Sequence, residues 1–381
     1  MAAWLSWLSL LLWTVPWVPT SSIPAALVIG LLVFERQWLR EQIASYRAEA
    51  VLLFLVLVLG IAFSQLPSKS LKGSYDFLRG AVFFFPVLYL AGQERERLKK
   101  GFWPTLCGGL VLLLAAAAWA WSEGNGSLRG FQKQLILSFR HYNVFATCVA
   151  TVGVFAAAGA LFGRSGKFSS WLGCLLLCIS AILTFITGSR GSFVALLIVA
   201  ALGCYLRFRN LRKWLLAGGS ALIAVLVALV ASGWLGEHVS AWHRRGDFTA
   251  GRLKLFGAIW DAVATQSPAT GFGINTYKYL DIAQPLKKSV VLPHNVLLES
   301  LFSLGLVGTL ALIILAVLLI RRLRTEPVDP MLYNVGLMLI VFYLLRGMLD
   351  MKLFSQYFPA ALAFGYAMMT GAMIPARRRD G

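Results

Sequence analysis

The stretch "VLPHNVLLESLFSLGLVG", residues 291–308, sets a proline, a histidine and an asparagine at the mouth of an otherwise apolar run, with Glu299 inside it. An imidazole has an unperturbed pKa of about 6.5, so it exchanges a proton near neutral pH, and at a helix N-terminus its neutral form is favoured. His294 is therefore the candidate general base, with Asn295 and Glu299 beside it. An ionisable group more than one turn into a membrane helix is costly without a partner, so Glu299 orients His294, pairs with an arginine or ties two helices together. Two arginines add a site for an anion. Arg190 lies in "TGSRGS", among glycines and hydroxyls that permit close backbone approach, and Arg252 opens a predicted helix whose first N–H groups already favour negative charge. Each of the three also has an ordinary place in a membrane protein: a histidine packs or meets headgroups at the interface, and basic side chains snorkel or solvate a surface helix.

The elements that must hold these residues are membrane helices. Of the 381 residues 59% are hydrophobic and 13% charged, with a mean hydropathy of +0.74, outside the range of a soluble domain. The apolar runs are long and continuous where an outer-membrane strand would alternate, so the fold class is all-α and polytopic. Runs near 4–20, 22–34, 49–63, 76–92, 102–121, 142–162, 169–187, 192–206, 213–234, 295–320, 331–349 and 353–374 predict about twelve spans. They divide the chain into a bundle of about nine spans over 1–234, a large loop over 235–293 and about three spans over 294–381. The opening "MAAWLSWLSLLLWTVPWVP" has no charged n-region and reads as a retained first span. Cys107, Cys148, Cys174, Cys178 and Cys204 fall inside apolar runs, with no metal or CxxC spacing, and read as buried packing.

Lys and Arg in short loops set the orientation. Arg36, Arg40 and Arg47, then "ERERLKK", "GRSGK", "RFRNLRK", "RRLR" and "RRR" fall on one side, which is therefore cytoplasmic, as are both termini. The opposite face still carries Lys69, Lys72, Arg79, Arg129, Lys133, Arg140, Arg190, Arg346, Lys352 and seven basic residues of the large loop. Such a face asks for an anionic partner, either membrane lipid or a ligand held where span ends converge. Within the loop, "DFTAGRLKLFGAIWDAVATQSP" puts Leu253, Phe256, Ile259, Trp260 and Val263 at helical spacing, with Thr249 as cap and Pro268 beyond the end, and predicts an amphipathic surface helix. The "ATGFGINTYKYL" that follows reads as a plain glycine-rich turn, GxG being a weak phosphate signal. Glu237, Asp247, Asp261 and Asp281 are scattered and form no divalent-metal cluster, and nothing in the sequence calls for a cofactor or nucleic acid.

Taken in order, "TGSRGS", "GRLKLFGAIW" with "SPATGFG", and "PHNVLLESLFSLGLVG" around one large outer loop resemble the O-antigen ligase and polymerase superfamily over about residues 140–350. The resemblance implies transfer of a polysaccharide from undecaprenyl diphosphate to a lipid A-core sugar at the periplasmic face of a bacterial inner membrane. It carries the family's functional arginines and histidine onto Arg190, Arg252 and His294. Asp350, in "LRGMLDMK", resembles an acidic residue of the late outer loop, and it can equally pair with Arg346 four residues before it. A lipid diphosphate is a good leaving group, so the protein must supply charge neutralisation and a base. Arginine forks match phosphate oxygens two at a time, which makes Arg190 and Arg252 the expected clamp, Arg140 and Arg79 its helpers, and a metal unnecessary. Direct displacement would invert the anomeric carbon. A polymerase or a protein O-oligosaccharyltransferase shares this chemistry, although the ending "PARRRDG" directly after the last span favours the lipid acceptor. A transporter would instead place polar residues at mid-bilayer in broken, repeated helices.

Overall fold

The computed structural model describes residues 22–139, 142–163, 167–208, 210, 212–213, 252–280, 295–323, 327–355 and 357–373, and no strand occurs among them. The helices are α1 (Ser22–Phe34), α2 (Arg36–Ser45), α3 (Arg47–Ala62), α4 (Pro67–Ala81), α5 (Phe84–Gln93), α6 (Arg95–Glu123), α7 (Leu128–Phe139), α8 (Tyr142–Phe162), α9 (Lys167–Ile186), α10 (Arg190–Arg207), α11 (Arg252–Gln266), α12 (Val296–Arg321), α13 (Pro330–Asp350) and α14 (Tyr357–Gly371). Among the described residues seven helical segments are long and apolar enough to cross a membrane, with α4 and α5 together forming one of them, Pro67–Gln93; the pair α2–α3, bent by 70°, makes an eighth if it is one span. The expected run at 4–20, all of that at 213–234 but its first residue, the loop before Arg252, and residues 281–294 lie outside the described residues.

α8 is the hub. In its most apolar window 83% of residues are buried, against 22% for α12, so α8 is surrounded by protein while α12 lines the perimeter. The reason is in its sequence, where Gly153, Ala156, Ala157, Ala158 and Gly159 let neighbouring helices approach closely. A Cβ added at Gly153 would stand 2.9 Å from Ser180 of α9 and 3.1 Å from Leu196 of α10, and one at Gly159 would stand 2.5 Å from Phe102 of α6. Phe155 meets Phe364 of α14 edge-on at 6.0 Å, which draws the C-terminal helices onto the same core.

Three expectations change. The run at 295–320 is not one continuous helix: Gly305 takes φ 63°, ψ −164° and breaks α12 between Leu304 and Leu306. The glycine-rich segment after α11 is not a plain turn; it fills that break. Phe272 N–H donates to Phe302 O at 2.8 Å and Gly273 N–H to Ser303 O at 3.0 Å, while the N–H groups of Leu306 and Val307 donate to Pro268 O at 2.9 Å and Ala269 O at 3.1 Å. All four backbone groups freed by the break thus find partners, as a membrane interior demands. Because the Phe272 and Gly273 N–H groups are spent in this way, the segment is no phosphate cradle. Its far side is equally bound: Gln65 N–H donates to Phe272 O at 3.1 Å, Ser70 Oγ donates to Ile274 O at 3.0 Å, and Ile274 is buried against Gly60 and Gly73. Lastly, Cys148 is buried as expected, but Cys174 and Cys178 lie on an exposed apolar face of α9 beside Trp171 and Ile182, where a small apolar side chain suits lipid.

α11 forms where the pattern placed it, starting at Arg252, but its seam is Leu255, Ile259, Ala262 and Val263, and Trp260 is 59% exposed. That seam packs with Phe272 and Tyr277 onto Phe302, whose ring stacks on Phe272 at 4.8 Å. The helix therefore docks on the first half of α12 and is tied to it again by the inserted segment. α7, absent from the sequence reading, is held by Phe131 and Leu135, one turn apart and both buried.

Candidate functional site

The turn between α9 and α10 is built from hydroxyls and one left-handed glycine. Gly188 takes φ 76°, Thr187 Oγ1 donates to Thr184 O at 2.6 Å, and Gln132 Nε2 of α7 donates to Thr187 O at 3.2 Å. Arg190 is the first residue of α10 and is exposed there, while Ser189 before it makes no side-chain cap to the helix. Ser189 instead donates to Ser192 Oγ at 3.0 Å, and Ser192 lies 3.3 Å from Thr147 Oγ1 of α8. Thr147 donates to Asn143 O at 2.8 Å and accepts from Arg346 of α13 through Nε at 3.4 Å and Nη2 at 3.3 Å. Arg346 is 2% exposed, and a Cβ at Gly191 would stand 2.8 Å from its Nη1.

Asn295 caps α12. Its Oδ1 accepts the N–H groups of Leu297 at 2.9 Å and Leu298 at 3.2 Å, and its Nδ2 donates to Met348 O of α13 at 3.2 Å. The last turns of α13 therefore touch both sites: Arg346 meets the start of α10 beside Arg190, and Met348, two residues on, holds the start of α12. Glu299, 4% exposed, accepts the Leu353 N–H at 2.6 Å, so it ties α12 to the turn after α13.

The remaining expected residues divide. His294 and Arg140 lie outside the described residues, His294 being the chain neighbour of the placed Asn295. Arg252 and Asp350 are placed by their backbones as the first residue of α11 and the last of α13, and their side chains are outside the description. Arg79 lies in α4, with its Nη2 3.8 Å from Asp76 Oδ1 and its guanidinium 5.8 Å from the Tyr75 ring. Among the described residues no three His, Cys, Asp or Glu side chains are grouped to hold a metal. The sequence reading missed Thr147, Ser192 and the contact of Arg346 with Gly191. Thr147 and Thr151, four residues apart in "FATCVATVG", were the available signal, a polar stripe on one face of an apolar helix.

Residues 174–313 match a family model described as O-antigen ligase. The matched segment runs from within α9 to within α12 and contains Arg190, Arg252, His294, Asn295 and Glu299, but not Arg79, Arg140 or Asp350. Over 234 residues the chain is 29% identical to a curated protein, the O-antigen ligase of Salmonella typhimurium strain LT2, covering 54% of this chain and 53% of that one. The chain thus spans about half the length of that relative.

Proposed function

We propose, from the premise that this chain belongs to the O-antigen ligase family, which the family model and the curated relative both support, that it transfers an undecaprenyl-diphosphate-linked polysaccharide to a sugar of lipid A-core at the periplasmic face of the inner membrane. The observation that most supports a site is the double hold of α13, with Arg346 against the start of α10 and Met348 O on Asn295. It puts the helix ends that carry Arg190 and follow His294 at one end of the bundle. A helix N-terminus and an exposed guanidinium both favour phosphate oxygens.

In the reaction, Arg190 and Arg252 hold the donor's diphosphate and take up the charge that develops as its bond to the anomeric carbon breaks. Neutral His294 accepts the proton of the acceptor hydroxyl, whose oxygen forms the new glycosidic bond on the opposite face of the sugar. The products are the glycosylated lipid and undecaprenyl diphosphate, with one proton left on the imidazole for water to remove. The configuration inverts, and the arginines do what a divalent ion would otherwise do.

A broken α12 is a feature that transporters share. Here, however, the break is filled by backbone hydrogen bonds to residues 268–273, and the Phe272 and Phe302 rings stack beside it. The test is transfer by purified, reconstituted protein, with lipid-linked glycan and lipid A-core in EDTA. Product with the wild type that is lost in His294→Ala and reduced in Arg190→Ala is expected. Glycan elongation without lipid A-core glycosylation would make the protein a polymerase, and neither product from folded wild type would overturn the proposal in favour of transport.

A further inference from the structure

Among the described residues Arg346 is the largest fully buried side chain, at a site where an apolar residue of similar volume would fill the space without the desolvation of a permanent charge. Its setting is specific. The guanidinium donates twice to Thr147 of α8, and its Nη1 edge occupies the room that any side chain at residue 191 would need. The hydroxyl relay from Ser189 through Ser192 to Thr147 runs along the same first turn of α10. α8, α10 and α13 thus meet at one guanidinium, and the residue adjoining its contact on α10 is Arg190. Resting on the reading of Arg190 as part of the diphosphate clamp, we infer that Arg346 is a positioning residue: seated on Gly191 and bonded to Thr147, it fixes the turn and the first residues of α10 and so the place from which Arg190 meets the donor.

Lysine cannot reproduce the fork. Arg346→Lys keeps the charge but loses the pair of bonds to Thr147 and the flat edge against Gly191. A charge-assisted hydrogen bond contributes roughly 1.5–3 kcal/mol, so the displaced clamp raises the donor KM about tenfold to hundredfold. The acceptor KM stays at its wild-type value. Residues that act through one another are not additive, so Arg346→Lys adds nothing further in an Arg190→Ala background. Gly191→Ala, which presses on the same guanidinium from the other side, raises the donor KM in the same way. Thr147→Val removes the acceptor with little change of shape and serves where either of the other variants melts early in detergent.

The experiment is steady-state transfer with donor and acceptor varied separately, for wild type, Arg190→Ala, Arg346→Lys, Gly191→Ala, Thr147→Val and the Arg190→Ala/Arg346→Lys double variant, each with its melting temperature. A rise in donor KM confined to the donor and absent from the double variant's increment is the expected result. Equal effects on donor and acceptor, or effects that multiply in the double variant, would assign Arg346 to the core alone. If Arg190→Ala leaves donor KM unchanged, the clamp reading itself fails; if Arg190→Ala raises it and Arg346→Lys does not, only the inference about Arg346 fails.

Discussion

Gly305 takes φ 63°, ψ −164°, a region that essentially only glycine occupies, and a Cβ there would collide with the Ala269 carbonyl. Gly305→Ala is therefore expected to lower stability by about 1–3 kcal/mol or more, read as a fall in the melting temperature of the detergent-solubilised protein. Gly257 provides the contrast, because it lies in α11 with no heavy atom within 4 Å of an added Cβ. Gly257→Ala should leave the melting temperature unchanged or raise it, by about 1 kcal/mol or less. An unchanged melting temperature for Gly305→Ala would mean that the break is not required. The proposed base makes its own prediction: a neutral imidazole accepts the proton, so kcat/KM should fall as pH drops below about 6.5 and lose that limb in His294→Ala. Burial pushes the Tyr277 phenol up to about 12, so it stays neutral over that range and adds no limb of its own. At this scale Arg190 and Asn295 were legible, because a charge or a "PHN" at the edge of an apolar run stands out. Thr147 and Ser192 were not, because averaging hydropathy over a span hides two hydroxyls among alanines and valines.

Between residues and the whole, the elements show where local signals suffice. α8, α9 and α13 match the expected runs within about two residues, since a continuous apolar stretch bounded by charges fixes a membrane helix. The break in α12 escaped because "LGLVG" continues an apolar run and because the partner that fills the break lies some thirty residues earlier in the chain. The bend between α2 and α3 has a similar cause at the other end of α12. There Arg322 donates through Nε to Glu49 Oε1 at 2.6 Å and through Nη2 to Glu49 Oε2 at 3.2 Å, bonds Ser45 through its hydroxyl and carbonyl, and lies 4.4 Å from the Tyr46 ring. One planar side chain thus holds both sides of a 70° bend. The bonds to Glu49 also stabilise the charged guanidinium and hold its pKa above the ordinary arginine value. Arg322→Lys keeps the charge and loses the fork, so it is expected to reduce stability by roughly 1–2 kcal/mol. The side chain is 33% exposed, so part of that loss should disappear in high salt. Glycan transfer at the far end of α12 should remain, and a melting temperature equal to wild type would show that the bend holds without this clamp.

Across the whole molecule, a net charge of +19 on a chain that must handle an anionic lipid makes ionic strength the most telling variable. Arg190 and the arginine inferred to position it differ in one respect. Arg190 is exposed at the start of α10, whereas Arg346 is buried where α8, α10 and α13 meet. Salt screens charges that face water, with a Debye length of about 8 Å at 0.15 M and about 3 Å at 1 M, and it reaches a buried guanidinium much less. Donor KM for the wild type should therefore rise steeply between low and high salt while kcat changes little. The penalty of Arg190→Ala should shrink over the same range, since the interaction it removes is already screened. The penalty of Arg346→Lys, being one of position, should persist for as long as Arg190 still contributes and vanish together with it. A donor KM indifferent to salt would mean that the exposed positive face does not capture the diphosphate, and an Arg346→Lys penalty that outlasts that of Arg190→Ala would mean that Arg346 does not act through Arg190.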